Sequence, residues 1–230
     1  MKIAYIATSN IPSSTANSIQ VMKVCQALTL LGHETSLFIP GRGEIKWDEL
    51  AHQYGVSTRF PITRFPSKKR LKRFDFIYAA LRQAKKDHAD VIYTRMLWVA
   101  VFAQLRHIPV ILELHDLPAG RLGTPLFKRY LRSDSKKMTV LITRALGRVI
   151  EERFKVRFPE KESVVAPDGV DESRYTSLPE AAAARRKLGL QEVTTAVYSG
   201  GFYKGRGLEL LVKLAQDFPA VQYMWVGGKP

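Results

Sequence analysis

Short apolar runs alternate with longer amphipathic segments along most of the sequence, and this alternation restricts the fold more than any other feature. Nearly continuous apolar runs, typical of strands covered on both faces, occur at residues 3–7, 35–40, 90–94 and 109–114. Helical spacing of apolar residues occurs at 17–31, 46–54, 71–88 and 97–106. Strands that alternate with helices predict an α/β fold with a Rossmann-like, doubly wound parallel sheet.

The same pattern continues to residue 166. Further strands are predicted at 58–62, 138–142 and 163–166, and a further helix at 144–154. No helix is predicted between residues 115 and 137, where the chain is expected to enter a loop containing proline and glycine.

The composition changes at Pro167-Asp168-Gly169-Val170-Asp171, a turn-forming stretch that suits a domain boundary. We therefore expect a first domain at 1–168, a hinge or linker at 169–192 and the start of a second domain at 193–230. In this last part, strands are predicted at 195–199 and 221–226 and a helix at 208–217. Two strands and one helix cannot bury their own faces, so the second domain is expected to be truncated.

The sequence carries 36 Lys and Arg against 21 Asp and Glu, a formal net charge of +15. Such a charge indicates an anionic partner. The cations cluster at 68–73, 129–137 and 144–157 with no nucleic-acid-binding motif nearby, which disfavours nucleic acid. A phosphorylated small molecule, an anionic membrane surface and a merely solvated basic face remain open.

The single cysteine, Cys25, excludes an internal disulfide and indicates a reducing compartment. Its spacing with Val21 and Leu28 predicts packing on an apolar helix face. No apolar run reaches roughly 18 residues. We expect a cytoplasmic protein, with peripheral attachment to the inner face of a membrane as an option.

In a parallel sheet, ligands bind beyond the carboxyl ends of the strands. The loop at 200–207 follows a predicted strand and precedes a helix, and its glycines (Gly200, Gly201, Gly205) and cations (Lys204, Arg206) suit a diphosphate. An ordinary strand-to-helix turn is the alternative.

Two further loops follow apolar runs. His115 and Asp116 follow the strand at 109–114, which predicts a cleft histidine, although a surface or core histidine remains open. Glu113 with His115 makes a Glu-x-His pattern, but no His/Cys cluster occurs elsewhere, so no metal site is expected. Arg95 follows the strand at 90–94, and the loop at 8–17 offers Ser13, Ser14, Thr15 and Asn17.

The order of these motifs resembles family 4 retaining glycosyltransferases of the GT-B fold. It runs through the loop at 12–17, Glu113-Leu114-His115-Asp116, Pro167-Asp168-Gly169-Val170-Asp171, residues 198–211 and Val226-Gly227-Gly228. The resemblance implies two Rossmann-like domains that transfer a sugar, with retention, from a nucleotide-diphosphate sugar to a glycan or lipid-linked acceptor. It implies no required metal and no cofactor apart from the donor substrate.

By position, the resemblance implies catalytic roles for His115, at the donor sugar, and for Arg206, where the family has a lysine on the diphosphate. It places Gly200, Gly201, Lys204 and Gly205 at the donor phosphates. Ser13, Ser14, Thr15, Asn17, Arg95 and Asp116 fall on the acceptor side or in its loops. The chain departs from the family in lacking a glycine pair in the first loop and in having Gly201 where an arginine is usual.

The resemblance also implies two donor-binding glutamates, separated by seven residues, late in the second domain. The pairs with this spacing, Glu152/Glu160 and Glu172/Glu180, precede the second domain's first strand. The pair is therefore expected beyond Pro230, and the 230-residue chain alone is expected to be inactive. A non-catalytic module that binds a nucleotide or another anion is the alternative function.

Overall fold

The computed structural model describes residues 1–71, 73–172 and 175–228, without the side chain of Lys69. The chain divides into two compact units, Met1–Asp168 (unit 1) and Gly169–Pro230 (unit 2). Each unit is described by itself below.

Unit 1 is a parallel sheet with helices on both faces. Its strands are β1 (Lys2–Ile6), β2 (Glu34–Pro40), β3 (Ile62–Phe65), β4 (Val91–Thr94), β5 (Val110–Leu114), β6 (Lys137–Leu141) and β7 (Ser163–Val165). Its helices are α1 (Ala16–Leu30), α2 (Trp47–Tyr54), α3 (Phe74–Lys86), α4 (Leu97–Gln104), α5 (Gly123–Arg132) and α6 (Arg144–Phe154), with short 3-10 helices at Lys69–Leu71 and Glu160–Glu162. The predicted Rossmann-like α/β class is confirmed.

The strand order is β3-β2-β1-β4-β5-β6-β7, and every pair is parallel. The order reverses direction between β1 and β4, and Ile6 at the end of β1 pairs with both Phe38 and Thr94. This topological switch point opens a crevice at the carboxyl ends of β1 and β4, the usual place for a ligand in an open α/β sheet.

Two hydrophobic layers cover the sheet. Residues of α1 and α2 pack on one face, and residues of α3, α4, α5 and α6 pack on the other. Cys25 is fully buried in the first layer, as its spacing predicts, and this burial raises the pKa of its thiol. A protonated buried thiol acts as a small apolar group.

The sequence pattern missed α5. Phe127 and Tyr130 are buried while Lys128 and Arg129 lie on the outer side, so the helix is amphipathic over only three turns. A basic cluster and Pro125 mask this pattern in the sequence. A Cβ at Gly123, where the helix begins, would lie 3.0 Å from the backbone of Pro118, so the tight entry into α5 favours glycine.

Two boundaries also differ from the prediction. The strand expected at 58–62 is β3 at Ile62–Phe65. It begins after Pro61, because proline has no N–H to donate to the neighbouring strand, although the Pro61 carbonyl oxygen accepts from the amide of Leu37 at 2.8 Å. The helix expected from residue 71 begins at Phe74, after Arg73 with a φ of 67°.

Unit 2 contains α7 (Ala181–Leu188), β8 (Thr195–Ser199), α8 (Leu208–Asp217) and β9 (Gln222–Val226). The strands β8 and β9 are parallel and pair from Thr195 with Gln222 to Ser199 with Val226. No residue at 169–172 or 175–228 is fully buried, and Val197 and Leu210 are 57% and 61% exposed. This βαβ unit therefore leaves its apolar faces accessible.

Among the described residues, no helix is long and apolar enough to cross a bilayer.

Candidate functional site

A connected set of polar side chains lies at the carboxyl edge of the unit 1 sheet. Glu113, the fourth residue of β5, is buried and accepts a hydrogen bond from the Tyr93 hydroxyl at 2.5 Å. The amide nitrogen of Gln20 donates to its other oxygen at 3.2 Å, and Nε2 of His115 bonds to that same oxygen. We call this set, with Arg95, Asn17 and Asp168, the switch-point network.

Glu113 is the anionic centre of the network. Burial alone would raise the pKa of its carboxyl, but the hydrogen bonds from His115 and Tyr93 outweigh burial and hold that pKa below its usual value. Burial and the charge of Glu113 raise the pKa of Tyr93, which keeps its hydroxyl a neutral donor. A fully hydrogen-bonded buried carboxylate is a fixed negative charge against which His115 is held.

Gln20 joins the two sides of the network. Its carbonyl oxygen accepts from Nη1 of Arg95 at 2.8 Å, and its amide nitrogen donates to both Glu113 and Asp168. The same Nη1 of Arg95 donates to Asn17 at 2.9 Å. Two predicted residues, Arg95 and Asn17, are thus brought together with the predicted His115.

The sequence reasoning did not single out Gln20, Tyr93 or Asp168 as members of a site. One signal was available, because Asn17 and Gln20 are three residues apart and share a face of α1. Asp168 belongs to the turn that marked the domain boundary, and nothing in the sequence connects it with Gln20.

The first loop is held by its own hydrogen bonds. The Tyr54 hydroxyl bridges the backbone N–H and carbonyl of Ser13 at 2.7 and 2.9 Å. Thr15 caps α1 by accepting from the Ser18 amide at 3.3 Å, and Ser13 Oγ lies 2.9 Å from Thr15 Oγ1. Ser13 and Thr15 therefore shape the loop, whereas Ser14 is exposed.

Two arginines, Arg64 and Arg73, hold the same loop through its backbone carbonyls. Arg64 donates to the carbonyl of Ile11 at 2.8 Å, and Arg73 donates to the carbonyl of Thr8 at 2.6 Å. Both cations thus have a local structural role.

A cavity of about 1020 Å³ lies beside the network in unit 1. Arg95, Glu113 and His115 form one end, and the loop from Asp116 to Leu122 forms part of its wall. Asp116 itself is exposed. The cavity gives the network a place at which a ligand can contact it.

Within residues 1–71, 73–172 and 175–228, one group of three side chains could hold a metal ion. It consists of Glu113, His115 and Asp168, whose ligand atoms lie within 4.8 Å of one another. Hydrogen bonds already join these three side chains, because Gln20 donates to both carboxylates and His115 bonds to Glu113. This hydrogen-bonded arrangement fits a metal poorly. The absence of a metal stays a prediction.

The glycine loop of unit 2 lies where β8 and β9 end. The amide of Gly200 donates to the carbonyl of Val226 at 2.9 Å, and a Cβ at Gly227 would collide with the Gly200 carbonyl oxygen. Gly205 and Gly207 have φ values of 90° and 73°, which favour glycine, and Gly207 caps α8. The loop thus exposes backbone ahead of a helix N-terminus.

Arg206 in this loop is held by Tyr203. The guanidinium carbon lies 4.9 Å from the centre of the Tyr203 ring, and Nε donates to the Tyr203 hydroxyl at 2.8 Å. A Cβ at Gly201 would collide with that ring, so glycine at 201 makes room for it. Lys204 is exposed between them. The loop therefore presents an oriented arginine.

One curated relative shares part of the sequence. The alpha-galactosylglucosyldiacylglycerol synthase of Streptococcus pneumoniae is 28% identical over an alignment of 142 residues that covers 57% of this chain and 38% of that protein. The chain therefore spans well under half of this relative.

Solved structures support the fold. HepE from Anabaena, in complex with UDP and glucose, has a TM-score of 0.67 and 16% identity, and the match covers 100% of this chain and 62% of that one. The catalytic domain of starch synthase IV from Arabidopsis thaliana, bound to ADP and acarbose, has a TM-score of 0.66 and 11% identity over 99% of this chain and 68% of that one. Both matches support the GT-B fold over part of each structure's length.

The family follows from a profile match. The Glycosyltransferase Family 4 profile matches residues 18–174, which is more than half of the chain. The matched range covers most of unit 1 and includes Gln20, Arg95, Glu113, His115 and Asp168 of the switch-point network. The chain belongs to glycosyltransferase family 4.

Proposed function

We propose that this chain forms the first domain and the start of the second domain of a retaining glycosyltransferase, which transfers a sugar from a nucleoside diphosphate donor to a hydroxyl-bearing acceptor. The observation that carries the proposal is the buried anionic Glu113, which holds His115 at the wall of a cavity at the switch point. Family membership supports the class of reaction. The name of the S. pneumoniae relative supports glycan or lipid-linked assembly as its setting.

In this reaction the bond between the anomeric carbon of the donor sugar and the diphosphate oxygen breaks. The acceptor oxygen bonds to the same face of that carbon, and the acceptor hydroxyl loses its proton. The nucleoside diphosphate leaves with increased negative charge. Fixed cations and backbone amides stabilise such charge without reorganising during the reaction.

We assign this stabilisation to unit 2. Arg206 is oriented by Tyr203, whose hydroxyl accepts a hydrogen bond from its Nε, and its guanidinium is a permanent cation. Lys204 supplies a second cation. Gly205, which has open space where a Cβ would lie, allows close approach of a diphosphate to the backbone, and the N-terminus of α8 adds partial positive charge. Gly200 and Gly201 are assigned to the same phosphate-binding loop, where the side chains of Tyr198 and Tyr203 occupy the space that a Cβ would fill.

We assign His115 to the donor sugar. Its Nε2 is bound to Glu113, which leaves Nδ1 to form a hydrogen bond with a sugar hydroxyl. Asn17, Arg95 and Asp116 are assigned to the acceptor side, together with the loop that contains Ser13, Ser14 and Thr15. No cofactor or metal takes part in the proposed reaction.

The test is a thermal-unfolding titration with nucleoside diphosphates, followed by transfer assays with radiolabelled nucleotide sugars and NMR of the product's anomeric configuration. We expect a rise in Tm with a nucleoside diphosphate and a product of retained configuration. A rise in Tm without transfer by a protein that carries the whole second domain would favour the non-catalytic binding module. An inverted product would contradict the proposed mechanism.

A further inference from the structure

The cavity beside His115 has two chemically different parts. Its polar part consists of Arg95, Glu113 and His115 of the switch-point network, with Asp116 and Arg121 of the following loop. The rest of its wall is mainly apolar and includes Phe74, Met96, Leu97, Trp98, Leu122 and Leu126. A polar end with an extended apolar wall is typical of a site for a ligand that is itself amphipathic.

The apolar wall is built into the fold. The rings of Phe74 and Trp98 meet edge to face with centres 5.1 Å apart, and the ring centre of Trp98 lies 5.6 Å from that of Phe102. These side chains pack against the core on one side and stay half-buried on the other. Ordered aromatic rings of this kind offer apolar area with little loss of side-chain entropy on binding.

The mouth of the cavity adds an exposed apolar group. Leu122, immediately before α5, is 57% exposed and belongs to the same wall. The cavity volume of about 1020 Å³ lies at the upper end of the roughly 300–1,000 Å³ of small-molecule sites, so it holds more than a sugar ring. A purely polar acceptor would leave this wall in water, whereas a hydrocarbon chain would cover it.

We propose that this cavity is a subsite for an amphipathic acceptor, whose hydroxyl-bearing headgroup lies at Arg95 and Asp116, next to the donor sugar at His115, and whose hydrocarbon tail lies along Trp98 and Leu122. The inference rests on the proposed function and names the class of acceptor for it. The tail contacts depend only on unit 1.

The test compares ligands that differ only in the tail or only in the headgroup. Octyl glucoside, methyl glucoside of the same anomeric configuration and octanol are titrated calorimetrically, with the octyl glucoside kept below its micelle concentration. Each fully buried methylene adds about fourfold in affinity, so partial burial of the longer tail gives at least a roughly tenfold preference for octyl over methyl glucoside. The headgroup contacts make octyl glucoside bind more tightly than octanol.

Variants connect the preference with the wall. Leu122→Ser and Trp98→Ala are expected to reduce the affinity for octyl glucoside at least about threefold and to leave that for methyl glucoside unchanged. Leu30→Ser, at an exposed leucine at the end of α1, is the matched control and leaves both unchanged. Trp98 packs on the core, so Trp98→Ala can destabilise the fold. In that case Leu122→Ser, at an exposed residue, is the variant that tests the proposal.

Equal affinity for the two glucosides, equal affinity for octyl glucoside and octanol, or an octyl preference that Leu122→Ser does not reduce would overturn the proposal. Glucoside binding needs neither donor nor transfer. Failure of the nucleoside diphosphate titration with a preserved octyl preference would therefore count against the proposed function alone.

Discussion

The two candidate sites are built in opposite ways. In unit 1, His115 and Arg95 are joined through buried or half-buried partners, and Glu113 at the centre is 4% exposed. In unit 2, Arg206 lies in an exposed glycine loop and its described partner, Tyr203, is only three residues away. A change in the first site should therefore alter folding as well as binding, whereas a change in the second should alter binding alone.

The largest expected effect is on the stability of unit 1. Glu113→Ala removes the carboxylate that accepts from Tyr93, Gln20 and His115, and losing one member of a buried charged network costs about 3 kcal/mol in free energy of unfolding. Chemical denaturation measures the loss. Asp116→Ala, at an exposed acid in the adjacent loop, is the control and should change stability by less than about 0.5 kcal/mol. Equal losses of unfolding free energy in the two variants would show that the buried carboxylate of the first site contributes no more to stability than an exposed acid.

The pH dependence follows from the same carboxylate. The pKa of Glu113 in the folded chain is lowered from 4.5, so its contribution is fully present above the unfolded pKa and is lost as the pH falls through the folded value. Unfolding free energies measured from neutral pH into acid should fall less steeply for Glu113→Gln than for the unaltered chain. Parallel pH curves would show that folding does not lower the pKa of Glu113.

Unit 2 should respond differently. Arg206→Ala removes a charge-assisted contact with a diphosphate and should weaken nucleoside diphosphate binding by roughly 10- to 150-fold. The midpoint of unfolding should not change, because the side chain is exposed. Lys213→Ala, at an exposed lysine of α8, is the matched control. Unchanged donor affinity would take Arg206 out of the site.

His115→Ala separates the roles of the switch-point network. A lost hydrogen bond to the donor sugar is worth about 0.5–1.5 kcal/mol, which lowers the transfer rate up to roughly tenfold. His115 follows the end of β5 and its side chain is 16% exposed against 5% for Glu113, so the Tm should fall less than in Glu113→Ala. Transfer assays and thermal unfolding of both variants check this order. A large loss of stability with normal specific activity would leave His115 a purely structural residue.

The same contrast explains how far the sequence predicts each part. The helix at Arg144–Phe154, the strand at Thr195–Ser199 and the helix at Leu208–Asp217 begin and end where local spacing and turn residues place them. The helix at Gly123–Arg132 was missed although Leu126, Phe127, Tyr130 and Leu131 recur at helical spacing, because the prolines and glycines at 118–125 favour a loop. Local signals predict an element best where the spacing and the turn residues of its segment agree.

The sites follow the same rule. The glycine loop of unit 2 is contiguous in sequence, so its glycines and cations can be found together. The switch-point network joins Gln20 to Asp168, which are 148 residues apart, and to Glu113 on another strand. Only the register of β1, β4 and β5 brings these residues to one edge, and a single sequence carries no signal for that pairing.

The smallest expected effect on stability concerns the exposed cations of unit 1, which we propose dock it on an anionic membrane. The cations at 64–73 fall into two groups. Arg64 and Arg73 hold the first loop by hydrogen bonds, whereas Lys68 and Arg70 are exposed. Lys72 lies outside the described residues, as does the side chain of Lys69. A solvated surface is the alternative interpretation.

Replacing Lys68, Lys69, Arg70 and Lys72 with serine, and keeping Arg64 and Arg73, removes surface charge without releasing the loop. Each cation near an anionic surface contributes about 1 kcal/mol, so binding to anionic vesicles should fall sharply in sedimentation assays. For the unaltered chain, raising the salt from about 0.1 M to 1 M shortens the Debye length from about 10 Å to about 3 Å and should weaken binding likewise. Equal binding to neutral and anionic vesicles, or binding to neither, would leave these cations as a solvated surface.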